Sequence, residues 1–379
     1  MRSVARRTAV RRSGEPAGET PSSPASNTGS LSTRTGVSTT SHRAVCIVGW
    51  GRSGSTLLDR MLGRLDGAVS LGESHQLWVA GLLEDRLCGC GSRFSRCPFW
   101  REVGELAFGP GGWSTLDRDR AVRLRLLLDR PWMVPLLLMP RPPLLTRAVA
   151  EYAGLLRQVF QAVADVSGAS VVVDSSKIAS HALLVRRGVS DVRLLHLVRD
   201  SRGVLYSWQK AIRRQDTEGQ GPHTLMHRYH IGSGAFRYLA FNLLAQLLGG
   251  TNLPYRRIRY EDLVQNPAMV LDEVADFSGI GVPDRLREAL TEHHLLLGVD
   301  HTIDGNPMRL AQGEMSIRHD DEWRRSMSSL SRATATVLTL PLLLAYRYLW
   351  GGPGRRAEPS RSPTALPGHR RDAEALGPR

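Results

Sequence analysis

Residues 45–58 read VCIVGWGRSGSTLL, and this stretch decides the fold. An apolar strand pattern over residues 44–48 runs into a glycine-rich turn, and apolar residues at helical spacing follow over 55–65. Gly49 and Gly54 have the spacing of the phosphate-binding pattern G-x-x-x-x-G-K-[ST]. Because backbone N–H groups converge at such a helix N-terminus and the helix dipole favours negative charge, this arrangement forms an anion site. The segment therefore predicts a phosphate-binding loop after a buried first strand.

The loop departs from that pattern at one decisive position. Ser55 stands where the pattern has its lysine, and Thr56 follows it. The loop therefore lacks the cation that reaches the β- and γ-phosphates in nucleoside triphosphatases, while Arg52 supplies a charge inside the loop. We expect a phosphate-bearing nucleotide whose γ-phosphate is not cleaved with Mg²⁺. A plain glycine turn between a strand and a helix is the alternative interpretation of the same spacing.

A second segment indicates a further phosphate contact. Residues 192–198 form a largely apolar strand pattern that ends at Arg199, and a helical pattern begins near Ser201. Arg199 is thus expected at the carboxyl end of a strand, where ligands bind in open α/β sheets. Ser207 lies about two helical turns further on. A guanidinium fork and a hydroxyl suit a phosphate, although a surface Arg–Asp pair and a solvated serine would have the same sequence.

Together the two segments resemble the sulfotransferase family that uses 3′-phosphoadenosine 5′-phosphosulfate (PAPS). Residues 52–57, RSGSTL, look like the family's 5′-phosphosulfate loop, and Arg199 and Ser207 match the arginine and serine of its 3′-phosphate site. The resemblance implies that one continuous run of residues contacts the 5′-phosphosulfate. This run is Gly51, Arg52, Ser53, Gly54, Ser55, Thr56 and Leu57.

Two later pieces extend the resemblance. Residues 259–264, RYEDLV, resemble a family segment whose tyrosine lies near the adenine, and Tyr260 is the matching position. Residues 305–324 look like the family's C-terminal loop, which returns a basic residue to the 3′-phosphate, and Arg309 and Arg318 both match. The resemblance covers roughly residues 44–345. It implies PAPS as co-substrate, sulfonate transfer to a hydroxyl or amine, and no requirement for a metal, so we assign no metal ligand.

The resemblance also implies the catalytic groups. Glu73 follows a short strand pattern and matches the glutamate that acts as base in tyrosylprotein and several carbohydrate sulfotransferases. His75 is the second candidate, and a charge at a helix start is the structural alternative for Glu73. Lys177 is one of only two lysines in a chain with 50 Lys and Arg, and it follows a strand pattern. We expect Lys177 and Arg52 to stabilise charge on the transferring sulfonate.

The order of elements predicts an α/β, P-loop-type three-layer fold with a central parallel sheet flanked by helices. The predicted strands are 44–48, 69–71, 171–174, 192–198 and 255–259. The predicted helices are 55–65, 74–86, 117–129, 146–166, 178–187, 202–214, 224–248, 267–279, 283–293 and 332–349. The mostly helical stretch 75–168 interrupts the alternation, and we expect it to build part of the acceptor pocket.

Composition separates a folded centre from two polar ends. The formal net charge is +14, of which residues 1–43 carry +5 and residues 351–379 carry +3. Both ends are poor in large apolar residues, so we predict disordered tails around a domain at 44–350. Solvated tails are favoured over tails that bind nucleic acid or a membrane surface.

The sequence shows no clear targeting or membrane-spanning segment. No secretory apolar segment follows the arginine-rich start, and the apolar run 335–345 is short and contains Pro341. A cytoplasmic protein without a membrane span is therefore expected.

Three of the four cysteines cluster in a short segment. Cys88, Cys90 and Cys97 lie in CGCGSRFSRCPFW, whereas Cys46 falls in the first strand pattern. The cluster permits a metal site or a disulfide with one thiol left over. No fourth metal ligand follows at a usual spacing, although His75 could fold in. Similar loops ending in CPFW occur in bacterial members of the family, so the resemblance implies a structural role.

Two other function classes remain open at this point. A P-loop kinase or nucleoside triphosphatase would need a lysine at position 55 and a Mg²⁺-binding acid at a strand end, for which Asp174 is the candidate. A catalytically inactive nucleotide-binding scaffold would keep the fold without turnover.

The acceptor is expected to be a small molecule, a glycan or a lipid-like compound, and no nucleic-acid partner is expected. Apolar residues between Trp78 and Leu145 are compatible with a hydrophobic acceptor and equally with core packing.

Overall fold

A computed structural model of the chain describes residues 42–213 and 225–349. The two predicted tails lie outside the described residues, except that the first strand begins at Arg43, one residue before its predicted start. Parts of two predicted helices, 202–214 and 224–248, also fall in the undescribed range 214–224.

Five parallel strands form the central sheet, in the order β2-β3-β1-β4-β5. The strands are β1 Arg43–Gly49, β2 Ala68–Ser70, β3 Val171–Lys177, β4 Asp191–Val198 and β5 Tyr255–Arg259. All five predicted strands are present, and the predicted α/β, P-loop-type three-layer architecture is confirmed. Since the chain moves outward from β1 in both directions, the sheet has a crevice at the carboxyl end of β1, where ligands of such sheets bind.

The central strand is apolar on both faces because each face packs against a separate layer of helices. Ala44, Cys46 and Val48 belong to one core, whereas Val45 and Ile47 belong to the core on the opposite face. This alternation follows from the two-residue period of a strand. Burial on both faces explains why the parallel strands appear in the sequence as continuous apolar runs.

Helices cover both faces and one end of the sheet. The described residues contain α1 Ser55–Leu62, α2 Pro98–Phe108, α3 Arg118–Leu128, α4 Met133–Leu138, α5 Pro143–Ser167, α6 Ala179–Gly188, α7 Ser201–Gln209, α8 Ile231–Leu248, α9 Tyr260–Gln265, α10 Pro267–Ser278, α11 Asp284–Thr291, α12 Trp323–Ser326 and α13 Ser329–Ala345. The core around Ala44 includes residues of α2 to α6 and α8, and the core around Val45 includes residues of α1 and α9 to α11. A third core joins α7, α8, α12 and α13.

The predicted helix 74–86 is wrong. The chain there forms a 3₁₀ turn, Ser74–Gln76, and a single π turn, Leu77–Gly81. Leu77, Trp78 and Ala80 are buried, whereas Leu83 is 50% exposed, so the apolar residues of this segment do not share one buried helical face. Helix α2 was not predicted, although it begins with a proline at its first position, where the missing N–H costs nothing. Helix α4 lies between the predicted helices 117–129 and 146–166 and was also not predicted.

A small antiparallel pair of strands was also not predicted. Strands β6 His294–Leu297 and β7 Gly313–Ser316 pair with each other and lie apart from the central sheet. Leu295 and Leu297 point into the core that contains α1, while alternate residues are exposed. The pair matters for function because the loop between its strands, residues 298–312, is held against the carboxyl edge of the central sheet, as described below.

The final helix occupies the apolar run near the C-terminus. It spans Ser329–Ala345 and contains Pro341. Within the two described ranges, no helix combines the length and apolar character needed to cross a membrane.

A buried carboxyl group on α1 gives the fold a pH-dependent stability. Asp59 is 2% exposed, and burial raises the pKa of its carboxyl from 3.8 to about 7, although the Ser70 hydroxyl opposes this. Because the folded pKa lies above the unfolded value, the stabilising contribution is fully present below about pH 4 and is lost as pH rises through about 7. The loss over this window is at most about 4 kcal/mol, since one pKa unit corresponds to about 1.4 kcal/mol.

Replacing Asp59 with Asn should therefore flatten the dependence of stability on pH between 5 and 8. Urea unfolding of the wild type and of Asp59→Asn at several pH values measures this, and the variant should gain stability relative to wild type as pH rises. Asp66→Asn is the matched control because Asp66 is exposed at the end of the same segment, and it should keep the wild-type slope. Parallel profiles for Asp59→Asn and wild type would show that the buried carboxyl does not titrate in this range.

Candidate active site

The strand registers bring the predicted functional residues to one edge of the sheet. Val48 of β1 pairs with Lys177 of β3, so Lys177 lies beside the start of the glycine loop, residues 49–56. Gly49 pairs with Leu197 of β4, which places Arg199 two residues beyond the same edge. The adjacent strands β2 and β5 end at this edge as well, and Glu73 and Tyr260 follow them.

The glycine loop requires glycine at position 54 for two reasons. Gly54 has φ +91°, in the left-handed region that side chains with a Cβ rarely adopt. A Cβ there would also lie 2.5 Å from the ring of Tyr260. This close approach brings the Tyr260 ring against the N-terminal cap of α1. Arg52 in the same loop has φ 69° without being glycine, so the backbone at this position is held in an uncommon conformation.

A cavity of about 740 Å³ opens at this edge of the sheet. Its size lies within the range of about 300–1,000 Å³ that is typical of small-molecule sites. Most of the predicted site residues line it. They are Gly51, Arg52, Gly54, Ser55, Thr56, Leu57, Glu73, Lys177, Arg199, Ser207, Tyr260 and Arg318. Residues that are distant in the chain and were predicted to form one site therefore line the same cavity.

Two predicted contacts lie elsewhere. Ser53 is buried and is not among the residues that line the cavity. Arg309 is also buried, and its guanidinium donates hydrogen bonds to the carbonyl oxygens of Thr302 at 3.1 Å and Leu87 at 2.7 Å. These bonds join two backbone segments, and Arg309 is not among the residues that line the cavity. Arg318, exposed at the rim of the cavity, is the remaining basic candidate from this loop.

Arg199 is held in place by its neighbours. One guanidinium nitrogen donates to the carbonyl of Arg52 at 3.1 Å, and the other lies 2.9 Å from both the carbonyl and the carboxylate of Asp320. The guanidinium carbon stands 4.3 Å above the ring of Tyr260, a cation–π contact. Arg199 therefore already binds a carboxylate, and a phosphate entering this place would compete with Asp320.

Glu73 and Lys177 form a closely paired acid and base. The Lys177 ammonium lies 2.7 Å from a Glu73 carboxylate oxygen and donates to the Ser175 carbonyl at 2.7 Å. Burial raises the pKa of Glu73, the Lys177 charge lowers it, and Asp304 raises it further, with a net upward shift. Lys177 has φ 67°, so its backbone is also strained. A carboxylate with a raised pKa, held beside a cation, suits general base catalysis.

His75 also lines the cavity, with a different electrostatic environment. Burial lowers the pKa of its imidazole well below the usual value, and His181 and Arg125 lower it further. His75 is therefore neutral at physiological pH and is a weaker base than its ordinary value implies. Its backbone N–H donates to the Ser176 hydroxyl at 3.1 Å, which fixes the chain next to Glu73.

Asp174 has a structural role. Its carboxylate accepts hydrogen bonds from the hydroxyls of Ser74 and Ser176, both at 2.6 Å, and from the Ser74 backbone N–H at 3.1 Å. The Ser74 hydroxyl in turn lies 2.9 Å from His181, whose other nitrogen is 3.0 Å from Asp129. This buried network joins the end of β3 to the turn after Glu73. Since Asp174 is 1% exposed and outside the cavity lining, it does not offer a Mg²⁺ ligand there.

The stretch 75–168, which is predicted to build part of the acceptor pocket, contributes few residues to this cavity. Only His75 and Gln76 from this stretch line it among the described residues, and Trp78 is fully buried in the core. The rest of the wall comes from two regions. One is an aromatic and apolar group, Trp50, Trp208, Ile212, Met226, Tyr229 and Phe241. The other is the group Asp304, Gly305, Asn306, Met308 and Met315, most of which falls in the predicted C-terminal loop 305–324. Trp50 stacks on Trp208 with ring centroids 5.2 Å apart.

The chain belongs to the sulfotransferase family, whose model matches residues 44–284. The matched range contains β1 to β5, the glycine loop and the edge that carries Glu73, Lys177 and Arg199. No curated protein matches the chain significantly.

Several solved structures resemble the chain at low sequence identity. The sulfotransferase domain from the Synechococcus PCC 7002 olefin synthase is 19% identical, with a TM-score of 0.44, and the match covers 82% of this chain and 96% of that one. The sulfotransferase domain from the curacin biosynthetic pathway is 18% identical, with a TM-score of 0.40, covering 79% and 98%. Sulfotransferase STF1 from Mycobacterium tuberculosis H37Rv is 14% identical, with a TM-score of 0.37, covering 67% and 72%.

Proposed function

We propose that this sulfotransferase uses PAPS as donor and transfers its sulfonate to a hydroxyl or amine acceptor, with Glu73 as base. The observation that carries the proposal is the convergence of the glycine loop, Arg199 and the Glu73–Lys177 pair on one cavity. The loop supplies backbone N–H groups at a helix N-terminus, which favour a phosphate or phosphosulfate. Arg199 adds a fixed guanidinium on the other side of that loop.

The donor's two anionic groups match two separate cationic places. The 5′-phosphosulfate would lie over the glycine loop, near Arg52 and Lys177. The 3′-phosphate would take the place that the Asp320 carboxylate now occupies on Arg199, with Ser207 and Arg318 as further contacts. The adenine would lie near Tyr260, whose ring already packs against both Gly54 and Arg199.

The transfer balances with the groups present. The acceptor oxygen attacks sulfur in line, and a bond forms between them while the bond from sulfur to the bridging phosphate oxygen breaks. The acceptor proton passes to the Glu73 carboxylate, whose ionised form is favoured by the adjacent Lys177 ammonium. The electron pair leaves on the bridging oxygen, where Lys177 and Arg52 stabilise the charge. The product nucleotide is 3′-phosphoadenosine 5′-phosphate.

The acceptor is proposed to be a small molecule that combines a nucleophilic hydroxyl or amine with an apolar portion. The wall formed by Trp208, Ile212, Met226, Tyr229 and Phe241 supplies apolar and aromatic surface beside the polar edge. A panel of hydroxylated small molecules, glycans and lipid-like alcohols, tested with labelled PAPS, would identify the class. Preferential labelling of polar glycans over the apolar members would contradict this part of the proposal.

The transfer should proceed without Mg²⁺. The proposed neutralising groups are backbone N–H groups, Arg52 and Lys177, and Asp174 is fully engaged in hydrogen bonds to serines. Turnover with PAPS should therefore be unchanged, within about twofold, when Mg²⁺ is omitted or added in millimolar excess. The assay uses dialysed enzyme and an acceptor from the panel, with sulfonated product measured by mass. Activity that appears only with Mg²⁺ would reject this mechanism and would favour the kinase alternative.

A further inference from the structure

Three cysteines and one histidine converge outside the cavity. Cys88, Cys90, Cys97 and His301 bring one ligand atom each to a single place, with all four atoms within 4.8 Å of one another. The Cys90 and Cys97 sulfurs are 3.7 Å apart, and the His301 Nδ1 atom lies 3.6 Å from the Cys88 sulfur and 3.3 Å from the Cys97 sulfur. His301 is about 200 residues from the cysteines in sequence, so only the fold brings it there.

These separations fit the edges of a zinc tetrahedron. Zinc binds sulfur at about 2.3 Å and imidazole nitrogen at about 2.0–2.1 Å, which places neighbouring ligand atoms about 3.5–3.8 Å apart. A disulfide would bring two sulfurs to about 2.0 Å, and all four cysteines of the chain are free thiols. The spacing of Cys90 and Cys97 is therefore that of two ligands of one ion.

The surrounding residues hold the ligands in this arrangement. Cys88 and Cys90 lie on a tight turn, in which the Cys88 N–H donates to the Ser92 carbonyl at 2.7 Å. The His301 ring stacks on Phe99 with centroids 4.5 Å apart and planes 9° from parallel. The Trp100 indole N–H donates to the His301 carbonyl at 3.0 Å. These contacts fix the turn that carries Cys88 and Cys90, and they fix the plane of the His301 ring.

Gly89 shows how closely the two ligand-bearing segments fit. Its N–H donates to the Thr302 carbonyl at 2.9 Å, and a Cβ at this position would lie 2.6 Å from the Asp300 carbonyl. Arg309 reinforces the same junction by donating to Thr302 and to the residue before Cys88. The junction therefore joins the cysteine turn to the loop between β6 and β7 through backbone contacts as well as through the ligand cluster.

We propose that Cys88, Cys90, Cys97 and His301 form a structural zinc site that anchors residues 298–312 against the active-site edge. The cluster supplies three sulfurs and one nitrogen, a ligand set typical of closed structural zinc sites, and leaves no position for substrate. The proposal is independent of the identity of the sulfonate donor.

The anchored loop forms one wall of the cavity. Asp304 and Gly305, three and four residues after His301, line the cavity next to Glu73, and a Cβ on Gly305 would lie 3.4 Å from a Glu73 carboxylate oxygen. On its other side the loop is held by α1, because the buried Arg60 guanidinium binds Asp300 at 2.7 Å and the Arg309 carbonyl at 2.6 Å. Zinc would therefore support the position of Asp304 and Gly305 without taking part in the reaction.

Metal analysis of the tag-free full chain tests the proposal. Protein produced in zinc-supplemented medium and dialysed should contain about one zinc ion per chain by inductively coupled plasma mass spectrometry. Cys97→Ser and His301→Ala should each lower this content at least severalfold. Cys46→Ala and His294→Ala are the matched controls and should keep the wild-type content, because Cys46 lies in β1 and His294 is exposed on β6. Wild-type protein with a small fraction of one zinc per chain would overturn the proposal.

Cobalt substitution gives an answer that does not depend on the folding of the variants. Wild-type protein unfolded, stripped of metal and refolded with Co²⁺ should show the visible absorption of a tetrahedral thiolate site, and Zn²⁺ should displace it. An octahedral cobalt spectrum, or peptide mapping that reveals a disulfide between Cys90 and Cys97 in freshly purified protein, would contradict the site. If the wild-type protein contains one zinc ion per chain but does not turn over PAPS, the proposed function is contradicted and the zinc site is still supported.

Discussion

Replacing Glu73 with Gln should lower kcat by roughly 10²–10⁴-fold, the usual contribution of a positioned general base. The change keeps the shape of the side chain and an oxygen that can accept from Lys177, 2.7 Å away, while it removes the basicity. Affinity for 3′-phosphoadenosine 5′-phosphate should change by less than about threefold. In the proposed mechanism Glu73 contacts the molecule that receives the sulfonate and does not contact the nucleotide. Steady-state kinetics and calorimetry on the same preparation separate the two quantities.

The pH profile gives an independent check on Glu73. Its pKa is raised mainly by burial, and the base must be ionised to act. The wild-type kcat should therefore fall as pH drops through a value above the ordinary carboxylate range, and this acid limb should be absent from Glu73→Gln. His75→Ala is the comparison variant, because His75 lines the same cavity. Near-normal turnover of Glu73→Gln together with an inactive His75→Ala would assign the base to His75. Loss of nucleotide binding in Glu73→Gln would indicate that the residue is structural.

Replacing Arg199 with Gln should remove the preference for 3′-phosphoadenosine 5′-phosphate over AMP. A charge-assisted hydrogen bond is worth about 1.5–3 kcal/mol, so the bisphosphate should lose about 10- to 150-fold in affinity. AMP should lose far less, since it lacks the 3′-phosphate that Arg199 is proposed to bind. The ratio of the two dissociation constants is the informative quantity, because it cancels general damage to the site.

Arg202→Gln is the matched control for this measurement. Arg202 lies in the first turn of α7, three residues after Arg199. It pairs with Asp200 at 2.6 Å and stands 4.8 Å from the ring of Trp323, outside the cavity lining. Its replacement should leave the preference for the bisphosphate intact. If Arg199→Gln weakens AMP and the bisphosphate by the same factor, Arg199 supports the loop through the Arg52 carbonyl and does not contact the 3′-phosphate.

The sheet and its functional edge were predictable because their signals are local. A buried parallel strand appears as a short apolar run, and the five runs were found within a few residues of their true bounds. Once the strands are known, the residues just past their carboxyl ends must lie at one edge. This reasoning applied to Arg199, Lys177 and Glu73, whereas the resemblance to the family supplied Tyr260 and supported Glu73. All four residues line the same cavity.

The remaining parts depend on long-range packing, which a single sequence does not encode locally. The segment after Glu73 has helical spacing, yet it forms only a 3₁₀ turn and a π turn, with Leu77 and Trp78 buried in the core. Arg309 lies in the expected loop, yet its guanidinium is used to join two backbone segments. The fourth member of the cysteine cluster is His301, whereas His75, the histidine nearest in sequence, lines the cavity. His301 could be predicted as the fourth member only if the contact between the loop after β6 and the cysteine turn were already known.

The most direct test of the central claim supplies the purified enzyme with sulfur-35-labelled PAPS, unlabelled ATP, Mg²⁺ and the acceptor panel in one reaction. The account predicts that the label appears in at least one acceptor, with one molecule of 3′-phosphoadenosine 5′-phosphate released for each sulfonate transferred, while ATP stays intact. Mg²⁺-dependent consumption of ATP or phosphorylation of an acceptor, with the labelled donor left unchanged across the panel, would contradict it.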